Sequence, residues 1–135
     1  KWLFPIHLEN FVQNMSEWEL CADVLITKAG GLILSEGLAA GLPIILIDNL
    51  PGQEEGNVDY ILSQQAGLLP SSPGEVSQLV DEWLSTEHST LKFCADHSRR
   101  LGHPDSALLI AEKLWQTGGA KTNLNQSAAQ VLNKS

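Results

Sequence analysis

The chain has 135 residues, and 8 Lys and Arg stand against 16 Asp and Glu, which gives a formal net charge of -8 at pH 7. This acidity excludes a nucleic-acid partner, because no basic stripe is present, and it argues against this segment docking by itself on an anionic membrane. No apolar run approaches the roughly 18 residues that a membrane-spanning helix needs, and the length suits one domain with a modest core.

The first residues predict that this chain is a fragment of a longer protein whose upstream part is missing. The chain begins at Lys1, without an initiator methionine, directly in an apolar run. Residues 15–21 then favour a short helix with Ser16 as its cap. Cys21 and Cys94 lie in helical patterns without metal-ligand spacing, so we expect buried free thiols.

The chain is organised around a strand, a glycine turn and a helix between Ala22 and Gly41. The apolar run 24–26 predicts a strand that is buried on both faces of a parallel sheet. Gly30 and Gly31 follow, and they can take backbone angles that a Cβ would forbid. A helix N-terminus at this place favours an anion, most often phosphate, although a plain tight turn is an equal interpretation. Neither the dinucleotide fingerprint nor a Walker loop is present.

The remaining elements also alternate between strands and helices. They are a strand over 43–47, a polar loop over 48–56, a helix over 57–65, a short strand over 67–69, and helices that begin near Ser72, Ser89 and Asp105. Ile61 and Leu62 are expected to face inward, and Ser72 with Glu75 has the layout of a capping box. Residues 117–135 have little apolar periodicity, which predicts a disordered tail.

This alternation predicts an α/β fold with a Rossmann-like, doubly wound parallel sheet. Few strands are present for such a sheet, so we expect that strands are missing upstream. Ligands of these sheets bind at the carboxyl ends of the strands. The loops 27–31 and 48–56 follow successive strands, and they are therefore predicted to line one crevice.

Polar side chains at this crevice suit a nucleotide sugar. Glu36 lies on the helix after the glycine turn, where its carboxylate can accept two hydrogen bonds from a vicinal diol such as a ribose, or can simply be solvated. Gln53, Glu54 and Asn57 can bind sugar hydroxyls, or can belong to an ordinary polar loop. Lys28 can offset diphosphate charge, or can be a surface lysine.

Two motifs together resemble a known family. They are the run from Ala22 to Gly31 continued by Ser35-Glu36, and Pro51-Gly52-Gln53-Glu54-Glu55-Gly56-Asn57. They are similar to the C-terminal domain of monogalactosyldiacylglycerol synthases and of the related diacylglycerol glucosyltransferases. These belong with the peptidoglycan N-acetylglucosaminyltransferase among the inverting GT-B enzymes of the glycosyltransferase family 28 C-terminal type. The segment 11–18 resembles the family segment just upstream, so the likeness covers about residues 1–115.

The resemblance implies the C-terminal half of a GT-B fold, which binds a UDP-sugar in residues 1–116. The implied residues are Phe11, Val12 and Met15 at the uracil, Gly30 and Gly31 at the diphosphate, Glu36 at the ribose, Gln53, Glu54 and Asn57 at the hexose or the phosphate beside it, and Lys28 and Ser35 as further contacts. It implies no catalytic residue in this chain, no metal and no cofactor, because the UDP-sugar is a substrate and the general base belongs to the N-terminal domain.

Some positions depart from the family pattern. Family members commonly carry a threonine where Ile33 stands, and plant members carry a proline and a glycine where Gly31 and Leu32 stand. The shape of the turn therefore stays open.

The resemblance predicts the donor domain of a hexosyltransferase that uses UDP-galactose or UDP-glucose and transfers the sugar to diacylglycerol in glycolipid synthesis. The whole enzyme is expected to lie peripherally on the cytoplasmic face of a bacterial plasma or thylakoid membrane, or on a plastid membrane, and this segment alone is expected to be inactive. Three alternatives stay open: a UDP-sugar-binding subunit of a split glycosyltransferase, a peptidoglycan-type N-acetylglucosaminyltransferase domain, or an α/β domain without retained activity.

Overall fold

Strands and helices alternate along the chain around a parallel sheet. The computed structural model describes residues 5–48, 50–85 and 89–118. The elements are α1 (Met15–Cys21), β1 (Leu25–Lys28), α2 (Gly31–Ala40), β2 (Ile44–Asp48), α3 (Glu55–Ser63), β3 (Gly67–Leu68), α4 (Pro73–Trp83) and α5 (Ser89–Leu101). The strands form a three-stranded parallel sheet in the order β1-β2-β3. The α/β class and the Rossmann-like parallel sheet are thus confirmed.

A second unit begins at His103 and contains a helix over residues 106–118. The sequence predicts this helix from Asp105 to about Trp115, so it continues further than predicted. Thr117, where the tail is expected to begin, is still helical. The rest of the predicted tail, residues 119–135, lies outside the described residues.

The side chains of β2 alternate between the two faces of the sheet, as the strand period requires. Ile44 and Leu46 belong to a core cluster with residues of α2 and α3, whereas Ile45 packs with Trp83 of α4 and Cys94 of α5. The side chains of Ile44, Ile45 and Leu46 are fully buried. Helices therefore cover both faces at β2, as a doubly wound sheet predicts.

Three burial predictions are wrong. Ile26 of β1 is 43% exposed, because within the described residues β1 pairs with β2 alone and lies at the edge of the sheet. On α3, Leu62 is exposed and Val58 is buried together with Ile61. Cys21 is exposed, whereas Cys94 is buried as predicted.

The ends of the helices confirm two sequence signals and correct a third. Gly41 ends α2 in the left-handed conformation, with a φ of 75°. The hydroxyl of Ser72 accepts a hydrogen bond from the Glu75 N–H at 3.3 Å, which caps α4. Ser16 is not the cap of α1, because the helix already begins at Met15 and Asn14 occupies the cap position.

The buried residue of α1 is a glutamate, which the sequence analysis does not anticipate. Glu19 is 4% exposed, and its Oε1 meets no hydrogen-bond donor within the described part of the chain. Burial raises the pKa of the Glu19 carboxyl, and the negative charge of Glu36 raises it further. The native state therefore binds the Glu19 proton more tightly than the unfolded chain, so this carboxyl stabilises the fold at low pH and loses that effect as the pH rises through its folded pKa.

We expect Glu19→Gln to raise the thermal midpoint at pH 7 by a few degrees, because the amide has the shape of the protonated carboxyl without its ionisation. Near pH 4 the difference from the wild type should disappear. Thermal melts followed by circular dichroism at both pH values measure this, with Glu82→Gln, at an exposed position of α4, as the control. A midpoint at pH 7 that is unchanged or lower contradicts the assignment.

Candidate functional site

The carboxyl ends of β1 and β2 bring the two polar loops to the same edge of the sheet. The register between the strands shifts between Thr27 and Lys28, so that Lys28 lies opposite Asp48. The N–H of Ala29 then donates to the Asp48 carbonyl at 3.0 Å. The first loop of the predicted crevice is thereby joined to the start of the second.

The glycine turn leaves room for a ligand and does not depend on special backbone angles. Gly30 has a φ of -72° and a ψ of 133°, and Gly31 is the first residue of α2. Neither has the positive φ that only glycine adopts freely, so the predicted reason for the two glycines is wrong. A Cβ on Gly30 would stand 3.6 Å from Ile33 Cγ2 and 3.7 Å from Glu54 Oε1, which is ordinary contact. The missing side chains instead keep the N-terminus of α2 open.

Three backbone N–H groups at this helix end have no acceptor among the described residues. They belong to Gly31, Leu32 and Ile33. The N–H of Gly30 already donates to the Lys28 carbonyl at 2.8 Å, so Gly30 does not present a free N–H as the resemblance implies. The Ser35 hydroxyl donates to the Gly31 carbonyl at 2.8 Å. An anion at this place would meet the N–H groups of residues 31–33 and the positive end of the helix dipole.

The second loop is tied to this turn by side chains. Lys28 Nζ donates to Glu54 Oε1 at 2.9 Å, and the Leu50 N–H donates to Glu54 Oε2 at 2.9 Å. Asn57 Nδ2 donates to the Ala29 carbonyl at 2.8 Å. The Lys28 hydrogen bond, and then the Leu50 N–H, hold the pKa of Glu54 below its usual value. Glu54 therefore stabilises the fold above the usual glutamate pKa and loses this effect as the pH falls through its lowered pKa.

The other candidate residues lie around this centre. Glu36 is half-buried on α2 and makes no hydrogen bond or ion pair with the described residues. Gln53 is exposed beside Glu54. Phe11 is 81% exposed, whereas Val12, which precedes α1, and Met15, the first residue of α1, are half-buried. Helix α1 packs against α2. Hydrogen bonds join Lys28 to Glu54, Ser35 to Gly31 and Asn57 to the turn residue Ala29, and Gly30 lies beside the Lys28–Glu54 pair. None of these hydrogen bonds involves the uracil candidates Phe11, Val12 and Met15.

A hollow of about 500 Å³ opens beside α1, away from the glycine turn, and is lined by Asn14, Glu17, Trp18, Cys21 and Ala22. Within residues 5–48, 50–85 and 89–118, no helix has the length and hydropathy to cross a membrane, and no three His, Cys, Asp or Glu side chains stand close enough to share a metal ion. The candidate site consists of the glycine turn at the N-terminus of α2 and the loop that follows β2.

Comparison with known proteins shows close relatives. No protein-family model matches the chain. It is 38% identical over 113 residues to the chloroplastic monogalactosyldiacylglycerol synthase 2 of Arabidopsis thaliana, and 36% identical over 114 residues to synthase 3 of the same plant. A probable monogalactosyldiacylglycerol synthase 3 of Oryza sativa subsp. japonica is 32% identical over 131 residues. These matches cover 84%, 84% and 97% of the chain.

Over most of its length the chain is similar to monogalactosyldiacylglycerol synthases. It spans about a quarter of the length of the curated relatives it matches.

The similarity to these synthases confirms the resemblance, while the roles of the single residues stay predictions. Several groups at the site could not be named from the residue pattern. The Leu50 N–H and the Ala29 carbonyl are backbone partners, and a side-chain motif does not report them. The N–H groups of Leu32 and Ile33 could have been found, since the first turn of every α-helix leaves its N–H groups unpaired.

Proposed function

We propose that this chain is the sugar-donor-binding part of a glycosyltransferase that makes a galactolipid, and that it binds UDP-galactose. The observation that carries the proposal is the N-terminus of α2, where three N–H groups have no acceptor among the described residues. A Cβ on Gly30 would stand 3.9 Å from Lys28 Cε, and one on Gly31 would stand 3.8 Å from Asn57 Nδ2, so both side chains lie next to this helix end. The names of the relatives, which are synthases of monogalactosyldiacylglycerol, favour a galactosyl donor and a diacylglycerol acceptor. Their chloroplastic location favours a plastid membrane surface for the whole protein.

The proposed chemistry is a displacement at the anomeric carbon of the hexose. A hydroxyl oxygen of diacylglycerol forms the new bond to this carbon and gives its proton to a base outside this chain. The bond from the carbon to the β-phosphate oxygen breaks, and its electron pair leaves with UDP. The negative charge that develops on the β-phosphate meets the free N–H groups of α2 and the ammonium of Lys28, which are already in place before the reaction.

In the proposed complex, different polar side chains bind different parts of the donor. In this proposal Glu36 accepts hydrogen bonds from the ribose hydroxyls. The half-buried position of Glu36 on α2, without a hydrogen bond or ion pair to the described residues, supports this role. Gln53 has an exposed amide, and Asn57 keeps one amide hydrogen and its Oδ1 for the hexose after its bond to Ala29.

Isothermal titration of the chain with UDP, UDP-galactose, UDP-glucose and UDP-N-acetylglucosamine tests the proposal. We expect weak binding of UDP. Of the three UDP-sugars, UDP-galactose should gain the most affinity over UDP, and the 135-residue chain alone should transfer no sugar. A preference for UDP-N-acetylglucosamine would favour the peptidoglycan-type alternative. The absence of binding to all four compounds would favour a domain without retained activity.

A further inference from the structure

The carboxylate of Glu54 is held through both of its oxygens. One oxygen accepts from Lys28 Nζ and the other from the Leu50 N–H, each at 2.9 Å. The side chain of Glu54 is 10% exposed, whereas that of Lys28 is 56% exposed. The carboxylate is therefore fixed by its surroundings, and the ammonium is the partner that is free to turn toward a ligand.

This ion pair lies directly beside the open N-terminus of α2. A Cβ added to Gly30 would be 3.7 Å from Glu54 Oε1 and 3.9 Å from Lys28 Cε. A diphosphate bound to the N–H groups that begin at the next residue would have both charges as neighbours. Lys28 has three N–H bonds and uses one of them on Glu54, so its ammonium can contact Glu54 and a phosphate oxygen together.

The two charges act on a nucleotide in opposite directions. Lys28 attracts the diphosphate, and Glu54 repels it and neutralises part of the attraction. UDP carries a terminal phosphate whose second proton dissociates near pH 6, so at pH 7.5 it bears more negative charge than a UDP-hexose, in which the hexose esterifies that phosphate. A fixed carboxylate beside the β-phosphate therefore disfavours the product UDP more than the substrate.

We propose that Glu54 is a positioning residue that holds Lys28 at the diphosphate and weakens the binding of UDP, so that the product leaves the site after transfer. This inference rests on the proposed function, because it takes UDP as the leaving group. It gives Glu54 a role that does not require contact with the hexose.

The test measures the dissociation constants of UDP, UDP-galactose and uridine at pH 7.5 for the wild type and for Glu54→Gln. We expect UDP to bind about 3- to 10-fold more tightly to Glu54→Gln at 20 mM salt, and less of this gain at 300 mM salt because the charges are screened. UDP-galactose should gain less than UDP, and uridine, which has no phosphate, should not change. Glu55→Gln removes the same charge from the adjacent exposed position and should change UDP binding less than about 2-fold.

Other outcomes overturn the inference in distinguishable ways. If UDP-galactose binds more weakly to Glu54→Gln while UDP is unaffected, Glu54 contacts the hexose and the inference is wrong, although the proposed function stands. If the wild type binds no UDP, the proposed function fails and the inference fails with it. If Glu54→Gln does not fold, Lys28→Met decides: the inference expects UDP binding to weaken about 10-fold with uridine unchanged, and unchanged UDP binding overturns it.

Discussion

Glu36→Ala should weaken the binding of UDP by about 20-fold or more, because hydrogen bonds from two ribose hydroxyls to a charged acceptor are lost. The structure supports this expectation by the position of the carboxylate, which is half-buried on α2 and has no partner among the described residues. The same substitution should leave the fold intact, since the carboxylate makes no hydrogen bond or ion pair with the described residues and its charge only repels that of Glu19.

A double comparison with 2′-deoxy-UDP separates ribose recognition from a general charge effect. In the wild type, removal of the 2′-hydroxyl should weaken binding about 10-fold, and in Glu36→Ala the two nucleotides should bind almost equally. Asp59→Ala, which removes an exposed carboxylate of α3, is the matched control and should retain the discrimination. If Glu36→Ala still distinguishes UDP from 2′-deoxy-UDP by the wild-type factor, Glu36 does not bind the ribose.

Gly67→Ala should destabilise the fold by about 2 to 3 kcal/mol, because the core at β3 has no room for a methyl group. A Cβ on Gly67 would collide with the Ile44 carbonyl oxygen of the neighbouring strand and would stand 2.9 Å from Ile61 Cγ2. The backbone groups of Ile44 and Gly67 are held at this spacing by the parallel pairing of β2 and β3, so they cannot move apart freely.

Urea denaturation measures the change at Gly67. Gly56→Ala is the control, since a Cβ on this helical glycine of α3 meets nothing within 4 Å. Alanine at position 56 should stabilise the fold by up to about 1 kcal/mol through its helix propensity. Equal stability of Gly67→Ala and the wild type would contradict the close packing of β3 against β2.

The parts of the fold that depend on periodicity could be predicted from the sequence. A run of apolar residues identifies β2, the glycine at position 41 ends α2, and Ser72 caps α4, because each of these signals is local. Burial depends on neighbours that are distant in sequence. For this reason the exposure of Ile26 and Cys21 and the burial of Glu19 could not be derived from local patterns.

At the candidate site, too, local sequence patterns predict some features, while others depend on residues that are distant in sequence. The residue types of the two loops predicted a nucleotide-sugar crevice, and the structure brings the loops together through the bonds of Lys28 with Glu54 and of Asn57 with Ala29. From the sequence we predict that Gly30 and Gly31 have backbone angles that a Cβ would forbid. In the folded chain Gly30 and Gly31 have ordinary angles and act through the space that they leave, which depends on where Glu54 and Asn57 stand.

The most direct test of the account is a titration of the ¹⁵N-labelled chain with UDP, followed by amide resonances. The account predicts that the largest shifts fall on Gly31, Leu32 and Ile33, whose N–H groups are unpaired at the N-terminus of α2, and that uridine alone shifts these amides much less. If UDP shifts only the amides around Trp18 at the hollow beside α1, or shifts none, the glycine turn does not bind the diphosphate and the central claim is wrong.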